Sequence, residues 1–370
     1  MTLLVDADRR IPGDHLLPSA TPLQLIAPDG RTGDNPGPLE LPGPAVLRDL
    51  YRRMVVGRRL DRQATALTKQ GRLAVYPSSR GQDACEVGSV LALREQDWLF
   101  PTYRDSVAIM TRGVDPVDVL ALLRGDWHCG YDPYEHRVAP QCTPLATNTL
   151  HAVGLAHAAR LKRTDEVALV LVGDGATSEG DTHEALNFAA VWKAPVVFLV
   201  QNNGYAISVP LAKQTAAPTL AAKGIGYGIP ALLVDGNDAA AVHAAVQLAV
   251  ARGAAGEGPT LIEAITYRME AHTNADDATK YRSNDEVQAW LARDPIDRLE
   301  AFLRAAGELD DEAVAAARAE AEERAADLRT RMNVDVDLDP AELFAHVYAE
   351  PTKNLDRQRE FLRAELEESR

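Results

Sequence analysis

Cysteine is scarce: Cys85, Cys129 and Cys142 are the only three in 370 residues. They are too few and too irregularly spaced for a disulfide framework or a zinc knuckle, so they read as reduced thiols. Long apolar runs are also missing. Nothing reaches the ~18 residues needed to span a bilayer. The amino terminus, with Asp6, Asp8, Arg9 and Arg10, lacks the apolar stretch of a signal peptide. A soluble, cytoplasmic protein with no membrane partner is expected. Positive charge is in deficit, 39 Lys and Arg against 54 Asp and Glu, and the formal charge of −15 repels a phosphate backbone. No nucleic-acid partner is expected, and any anion the chain holds requires a local site.

What is present is an ordinary globular composition, 46% hydrophobic and 25% charged, in a chain long enough for one large α/β domain or two smaller ones. Residues 1–44 are rich in Pro, Gly and Asp without a sustained period and read as an extended arm, mobile or laid on a partner. From Ala45 to Gln70 the apolar Leu47, Leu50, Met54, Val55 and Leu60 recur at helical spacing.

The centre reads as βαβ units. Val167 to Val172 is a continuous apolar run, as in a strand buried on both faces of a parallel sheet, and Thr182 to Trp192 has helical character. Val196 to Val200 is a second such strand. A third unit runs through Ala231 to Val234, a turn and helix cap at Asp235-Gly236-Asn237-Asp238, a helix from Ala239 to Ala251 and a return strand from Thr260 to Tyr267. The expected fold is an open parallel sheet with helices on both faces, spanning residues 45–305. Residues 306–370 form a helical segment: Asp310 to Arg331, rich in Ala, Glu and Arg, reads as a solvent-facing helix, and Leu355 to Leu366 as another.

Ligands of such sheets sit beyond the carboxyl ends of the strands. There the chain carries Gly173-Asp174-Gly175-Ala176-Thr177-Ser178-Glu179-Gly180-Asp181 after one strand and Gln201-Asn202-Asn203-Gly204-Tyr205 after the next. A right-handed crossover brings consecutive strands side by side, so Asp174 and Asn203 are expected as neighbours able to share one ion. A carboxylate, an amide oxygen and a main-chain carbonyl are the hard oxygen ligands that magnesium prefers. Gly173 and Gly175 allow the backbone close to a diphosphate, and Ser178 with Asp181 reads as a capping box at the following helix start. A lone Gly-Asp-Gly is a commonplace turn; followed by a helix and a strand ending in Asn-Asn, it is the magnesium and thiamin diphosphate motif.

The stretch GDGATSEGDTHEALNFAAVWKAPVVFLVQNNGYAIS resembles the alpha subunit of the thiamin-diphosphate-dependent 2-oxo acid dehydrogenases, which act on pyruvate or branched-chain 2-oxo acids. The likeness runs from about Leu50 to Leu303 and implies the thiamin diphosphate-binding fold. By resemblance Asp174 and Asn203 are side-chain metal ligands, Tyr205 lends its main-chain carbonyl, and Gly175 and Ala176 offer amides to the diphosphate. Tyr103 and Arg104 of FPTYRD correspond to contacts with the aminopyrimidine and the diphosphate, and Arg268 to a second diphosphate contact; guanidinium groups bind phosphate bidentately. Taken alone, Tyr103-Arg104 is equally a packed aromatic beside a surface charge. Two Arg and a magnesium ion would offset an anion of roughly −3.

Thr143 to Asn148, TPLATN, resembles a segment of branched-chain members in which the residue matching Leu145 props the cofactor in a bent shape; a buried core leucine is the plain alternative. The same likeness raises the hypothesis of a potassium site among the flanking polar residues, Thr143 included. His272, in a polar loop near Arg268, matches an active-site histidine; an imidazole there can donate to a developing intermediate or steer a thiolate, although a lone histidine is more often structural. The pattern departs in places. Thr273, Asn274 and Ala275 do not reproduce the phosphorylated serines of mammalian members, so no such kinase control is expected. Glu270 stands where the family is usually small, Gln201 stands where the mammalian branched-chain enzyme has arginine, and a shortened loop leaves His128 or His136 to replace a family histidine.

The resemblance implies oxidative decarboxylation of a 2-oxo acid and transfer of the acyl group to a lipoyl acyltransferase. TPLATN and NNGYAIS lean toward a branched-chain substrate of the 3-methyl-2-oxobutanoate type. Pyruvate dehydrogenase and acetoin dehydrogenase alpha subunits are the alternatives, and a catalytically silent cofactor-binding relative is the rival from another class. A separate beta subunit would supply the other half of the site in an assembly of two alpha and two beta chains.

Overall fold

A computed structural model of the chain describes residues 16–126, 129–336 and 339–368. It divides into two compact units, residues 1–331 and 332–370. The first opens with a short antiparallel hairpin, β1 (Gln24–Ile26) and β2 (Thr32–Asn35). Helix α1 (Pro44–Lys69) follows, with Pro44 in its first turn, where a missing amide costs nothing. Beyond it lie α2 (Asp83–Leu91), β3 (Trp98–Phe100), α3 (Ser106–Thr111), α4 (Pro116–Arg124), α5 (Pro133–His136) and α6 (Thr147–Lys162).

The expected βαβ units come next. They are β4 (Ala168–Gly173), α7 (Gly180–Trp192) and β5 (Val196–Asn202), then a small hairpin of β6 (Tyr205–Ala206) and β7 (Val209–Pro210). Helix α8 (Lys223–Tyr227), β8 (Ala231–Asp235), α9 (Ala239–Ala254) and β9 (Thr260–Ile265) complete the sheet. Helices α10 (Asn284–Leu291), α11 (Pro295–Ala305) and α12 (Asp311–Met332) follow. The second unit contains α13 (Glu342–Ala345) and α14 (Lys353–Glu368). Among the described residues, no helix is long and apolar enough to cross a membrane.

The five-stranded sheet has the order β3-β4-β5-β9-β8 and is parallel throughout. Its apolar runs are continuous because both faces are covered, and strand periodicity sends alternate residues to opposite cores. Leu169, Leu171, Val197 and Leu199 pack into the cluster that includes residues of α1, α2, α3 and α9. Ala168, Val170, Val172, Phe198 and Val200 face the opposite cluster, with α6 and α7.

Two expectations need correction. The stretch after residue 15, expected as an extended arm, folds back on the sheet: Leu23 bridges Val234, and the Leu25 and Ile26 amides donate to Asp238 Oδ2, each at 2.7 Å. Residues 1–15 lie outside the described range. Helix α12, expected to face solvent, buries Val314, Ala317, Ala321, Ala325 and Leu328; one small-residue face suffices to seat it. The cysteines are free thiols, with Cys85 buried against the Gly236 carbonyl at 3.2 Å.

Asp238 ties these elements together. It caps α9 by accepting from the Ala240 and Ala241 amides with Oδ1, both at 3.1 Å, while Oδ2 takes the two β1 amides. Arg298 of α11 stands 3.6 Å away and donates to the Ile26 carbonyl. Asp238→Ala is expected to lower the unfolding free energy by roughly 3 kcal/mol, from a lost cap plus two stranded buried amides. Chemical unfolding checks this; a loss below roughly 1 kcal/mol, ordinary for any substitution, would contradict it.

Candidate functional site

The carboxyl ends of β4 and β5 are in register, with Gly173 paired to Gln201, so the loops that follow emerge side by side. A cavity of about 200 Å³ opens there. It is lined by Tyr103, Arg104, Leu145, Gly173, Asp174, Gly175, Ala176, Asn203, Tyr205, Arg268 and His272, which are all the expected site residues except Thr143. Thr143 is exposed on the same segment as Leu145 and does not reach the cavity. Leu145 is 42% exposed, which removes the plain reading of it as a core leucine.

The two adjacent asparagines divide their work by strand alternation. Asn202 Nδ2 donates to the buried Glu263 on β9 at 2.7 Å, and its Oδ1 accepts from the Gly204 amide, so it is structural. Asn203 turns the other way into the cavity, donating to Gln82 Oε1 at 2.9 Å and accepting from the Tyr205 amide at 3.2 Å. Gln82 also donates to Gln201 Oε1 at 2.9 Å, and Gln201 donates to Asp105 at 2.6 Å, so the neutral Gln201 belongs to a fixed buried chain. Gln82 lies at the start of α2, remote in sequence, and nothing in the motif points to it.

Asp174 is 1% exposed and, among the described residues, forms no ion pair. Burial pushes its carboxyl up, against the hydrogen bond from Gln214 and the main-chain amide of Asn203. A Cβ at Gly175 would lie 2.7 Å from that of Ala206, so the loop can pass there only as glycine, whereas the same position at Gly173 faces open space. Ser178 and Asp181 form no capping box. A 3-10 turn over Gly175–Ser178 intervenes, α7 starts at Gly180 with Glu179 as an unbonded cap, and Ser178 donates to the Gln214 carbonyl instead.

Opposite the acid stand two arginines. Arg104, 5% exposed, donates to the Ser78 carbonyl at 2.8 Å. That carbonyl is held because Asp61 of α1 binds Ser78 Oγ, the Ser79 amide and Tyr76 OH. Arg268, 1% exposed, donates to the Ile207 carbonyl at 2.6 Å, to Tyr281 OH at 2.9 Å and to the Tyr205 carbonyl at 3.5 Å, and its Nε has no partner. Among the described residues neither guanidinium pairs with a carboxylate, and burial together with Arg104 lowers the Arg268 pKa. Two buried guanidiniums without carboxylate partners and a buried carboxylate without a cation line the same cavity, a donor set that can hold an anion bridged by a cation.

His272 sits between the arginines: Arg104 Nη2 lies 3.0 Å and Arg268 Nη1 3.5 Å from its Nδ1. Guanidinium nitrogens only donate, so Nδ1 is the acceptor and the ring proton is on Nε2. Burial and then the two positive charges lower its pKa to about 4. Asp276 takes the His272 amide at 2.7 Å and the Tyr281 hydroxyl, which fixes the loop. Tyr103 meets the imidazole edge-on at 6.1 Å between centroids. Glu270, without explanation in the sequence, pairs with Arg80 at 2.8 Å. His136 ends α5 against Tyr131, away from the cavity, and His128 lies outside the described residues.

Comparison with known proteins bears on the whole chain. A family model described as "Dehydrogenase E1 component" matches residues 51–333. The 3-methyl-2-oxobutanoate dehydrogenase subunit alpha of Mycobacterium tuberculosis (strain ATCC 25618 / H37Rv) is 47% identical over 362 residues, covering 98% of this chain and 98% of that protein. The pyruvate dehydrogenase E1 component subunit alpha of Staphylococcus aureus (strain N315) is 38% identical over 309 residues, 83% of this chain and 77% of its own length.

Burial, reinforced by the two guanidiniums, holds the imidazole's titration below its ordinary range. A histidine pKa lowered in the folded state means that the folded chain binds fewer protons than the unfolded one below about pH 6.5, so this contribution to stability fades as pH falls toward 4. NMR titration of His272 is expected to find its midpoint near 4 in the free protein. Saturating inorganic pyrophosphate is expected to raise it, because the anion offsets both arginines. A midpoint near 6.5, unmoved by pyrophosphate, would contradict the site's electrostatics.

Proposed function

The chain belongs to the dehydrogenase E1 component family, and on that premise we propose that it is the alpha subunit of a 2-oxo acid dehydrogenase acting on branched-chain 2-oxo acids of the 3-methyl-2-oxobutanoate type. The observation that carries the reading is the single cavity in which a buried, unpaired aspartate, an asparagine from the adjacent loop and two carboxylate-free arginines converge. That set fits thiamin diphosphate with a magnesium ion. The cofactor, when bound, supplies the nucleophilic carbon and the ring that stores electrons from the decarboxylation.

The protein's part is position and electrostatics. Asp174, Asn203 and the Tyr205 carbonyl would hold magnesium, which favours oxygen ligands. Arg104 and Arg268 would clasp the diphosphate, with the Gly175 and Ala176 amides alongside. Leu145 would support the bent cofactor, and Tyr103 would pack against its aminopyrimidine. His272 is neutral near pH 7 and carries its proton on Nε2, so it is a hydrogen-bond donor at the cavity rather than a fixed cation. A potassium site among the polar residues around Leu145 remains part of the proposal.

A beta subunit would complete the site, in an assembly of two alpha and two beta chains, with a lipoyl acyltransferase receiving the acyl group. Exposed apolar side chains at the cavity mouth, Leu145 and Ile207, support a covering partner; Ile207 is 56% exposed. The cytoplasm is the proposed location. Pyruvate is the second reading of the substrate, favoured by the 38% identity to a pyruvate dehydrogenase subunit.

Side-by-side turnover of 3-methyl-2-oxobutanoate and pyruvate by the chain with its beta partner, using a dye acceptor, tests this. The branched-chain acid is expected to give at least about tenfold higher kcat/KM, and Asp174→Ala to lose both activities with magnesium-dependent cofactor binding. Preference for pyruvate would overturn the substrate, and wild-type cofactor affinity in Asp174→Ala would overturn the metal role.

A further inference from the structure

Gln214 follows the 3-10 turn Leu211–Lys213 and reaches into the site from outside the motif. Its Nε2 donates to Asp174 Oδ2 at 2.6 Å and to the Val209 carbonyl at 2.9 Å, which uses both amide hydrogens. Its Oε1 is buried with no hydrogen-bond partner. An amide that spends its donors and strands its acceptor is oriented by what it faces. Here it faces a buried carboxylate with no cation paired to it, and the reverse orientation would set Oε1 against Oδ2, two acceptors in contact.

We infer that Gln214 is a positioning residue for the metal: it holds Asp174 in place while no cation is present and gives way when one binds. The inference rests on the reading of Asp174 as a metal ligand. An N–H donor and a divalent ion compete for the same lone pairs of Oδ2, so an arriving ion displaces the amide from that oxygen.

The same residue ties the ion to the cavity mouth. The Gln214 amide donates to the Leu211 carbonyl at 2.9 Å, and the Leu211 amide to the Gly204 carbonyl at 3.0 Å, next to Asn203. The intervening hairpin of β6 and β7 carries Ile207, held at φ +55°, a left-handed conformation unfavourable for a β-branched residue. Its carbonyl is the one that Arg268 binds at 2.6 Å. Release of Gln214 from Asp174 therefore loosens a segment connected to both the second metal ligand and a diphosphate-facing arginine.

Mn2+ binding, followed by the EPR signal of the free ion, tests this on the assembled dehydrogenase with inorganic pyrophosphate present and neither thiamin diphosphate nor substrate added. Gln214→Ala, and Gln214→Met as a variant that keeps bulk without a donor, are expected to bind Mn2+ about fivefold or more tightly than wild type, because no hydrogen bond to a charged group has to break. Both are expected to melt earlier than wild type in EDTA and to regain the difference on adding Mn2+. Unchanged or weaker Mn2+ binding in whichever variant shows a cooperative melt would overturn the role of Gln214 alone. A wild-type protein that takes up no Mn2+ would overturn the metal reading of Asp174 and this inference with it.

Discussion

The site depends on one constraint, the in-register parallel pairing of β4 with β5. Because Gly173 lies opposite Gln201, the chain leaves both strands at the same level, and Asp174 and Asn203 enter one cavity without any long loop to bring them there. A slip of β5 by one residue would exchange its own inward and outward sides, and Asn202 rather than Asn203 would face the cavity. The burial of both sheet faces protects against that slip: Leu169 and Leu171 belong to one core, Val170 and Val172 to the other.

On this frame the charges are arranged at a cost. Asp174, Arg104 and Arg268 are nearly inaccessible, and none has an ion-pair partner among the described residues. Left to themselves, such groups lower stability. They are held by neutral partners, Gln214 for the acid and main-chain carbonyls for the arginines, which fix the cavity's shape without neutralising its charges. His272 reports the imbalance directly, since the neighbouring guanidiniums help to keep its ring neutral. A preformed site of this kind places the cost in folding rather than in each binding event.

Much of this was legible in the sequence because the signals are local. Continuous apolar runs ending in Gly-Asp-Gly and in Asn-Asn marked both strands and their loops, and Tyr103, Arg104, Arg268 and His272 followed from a family likeness carried over position by position. What was not legible is non-local. The three-residue strand β1 has too little apolar pattern to announce itself, and its anchor, Asp238, lies on the far side of the chain. Gln82 and Gln214 touch Asn203 and Asp174 from a helix start and a turn with no chemical motif. Ser178 and Asp181 have the spacing of a capping box, but the 3-10 turn over Gly175–Ser178 takes up Ser178, so the helix starts at Gly180 with Asp181 already in its first turn. Helix α12 is seated by alanines, whose small apolar surface leaves little periodic contrast among its charges.

The account stands on a shared cation between two loops, and anomalous diffraction from crystals of the assembled enzyme soaked with Mn2+ and thiamin diphosphate measures that directly. The predicted result is one peak roughly 2.0–2.3 Å from a carboxylate oxygen of Asp174 and from Oδ1 of Asn203, with a diphosphate oxygen at similar distance. A peak elsewhere on the molecule, or cofactor bound with no ion between these two side chains, would contradict it.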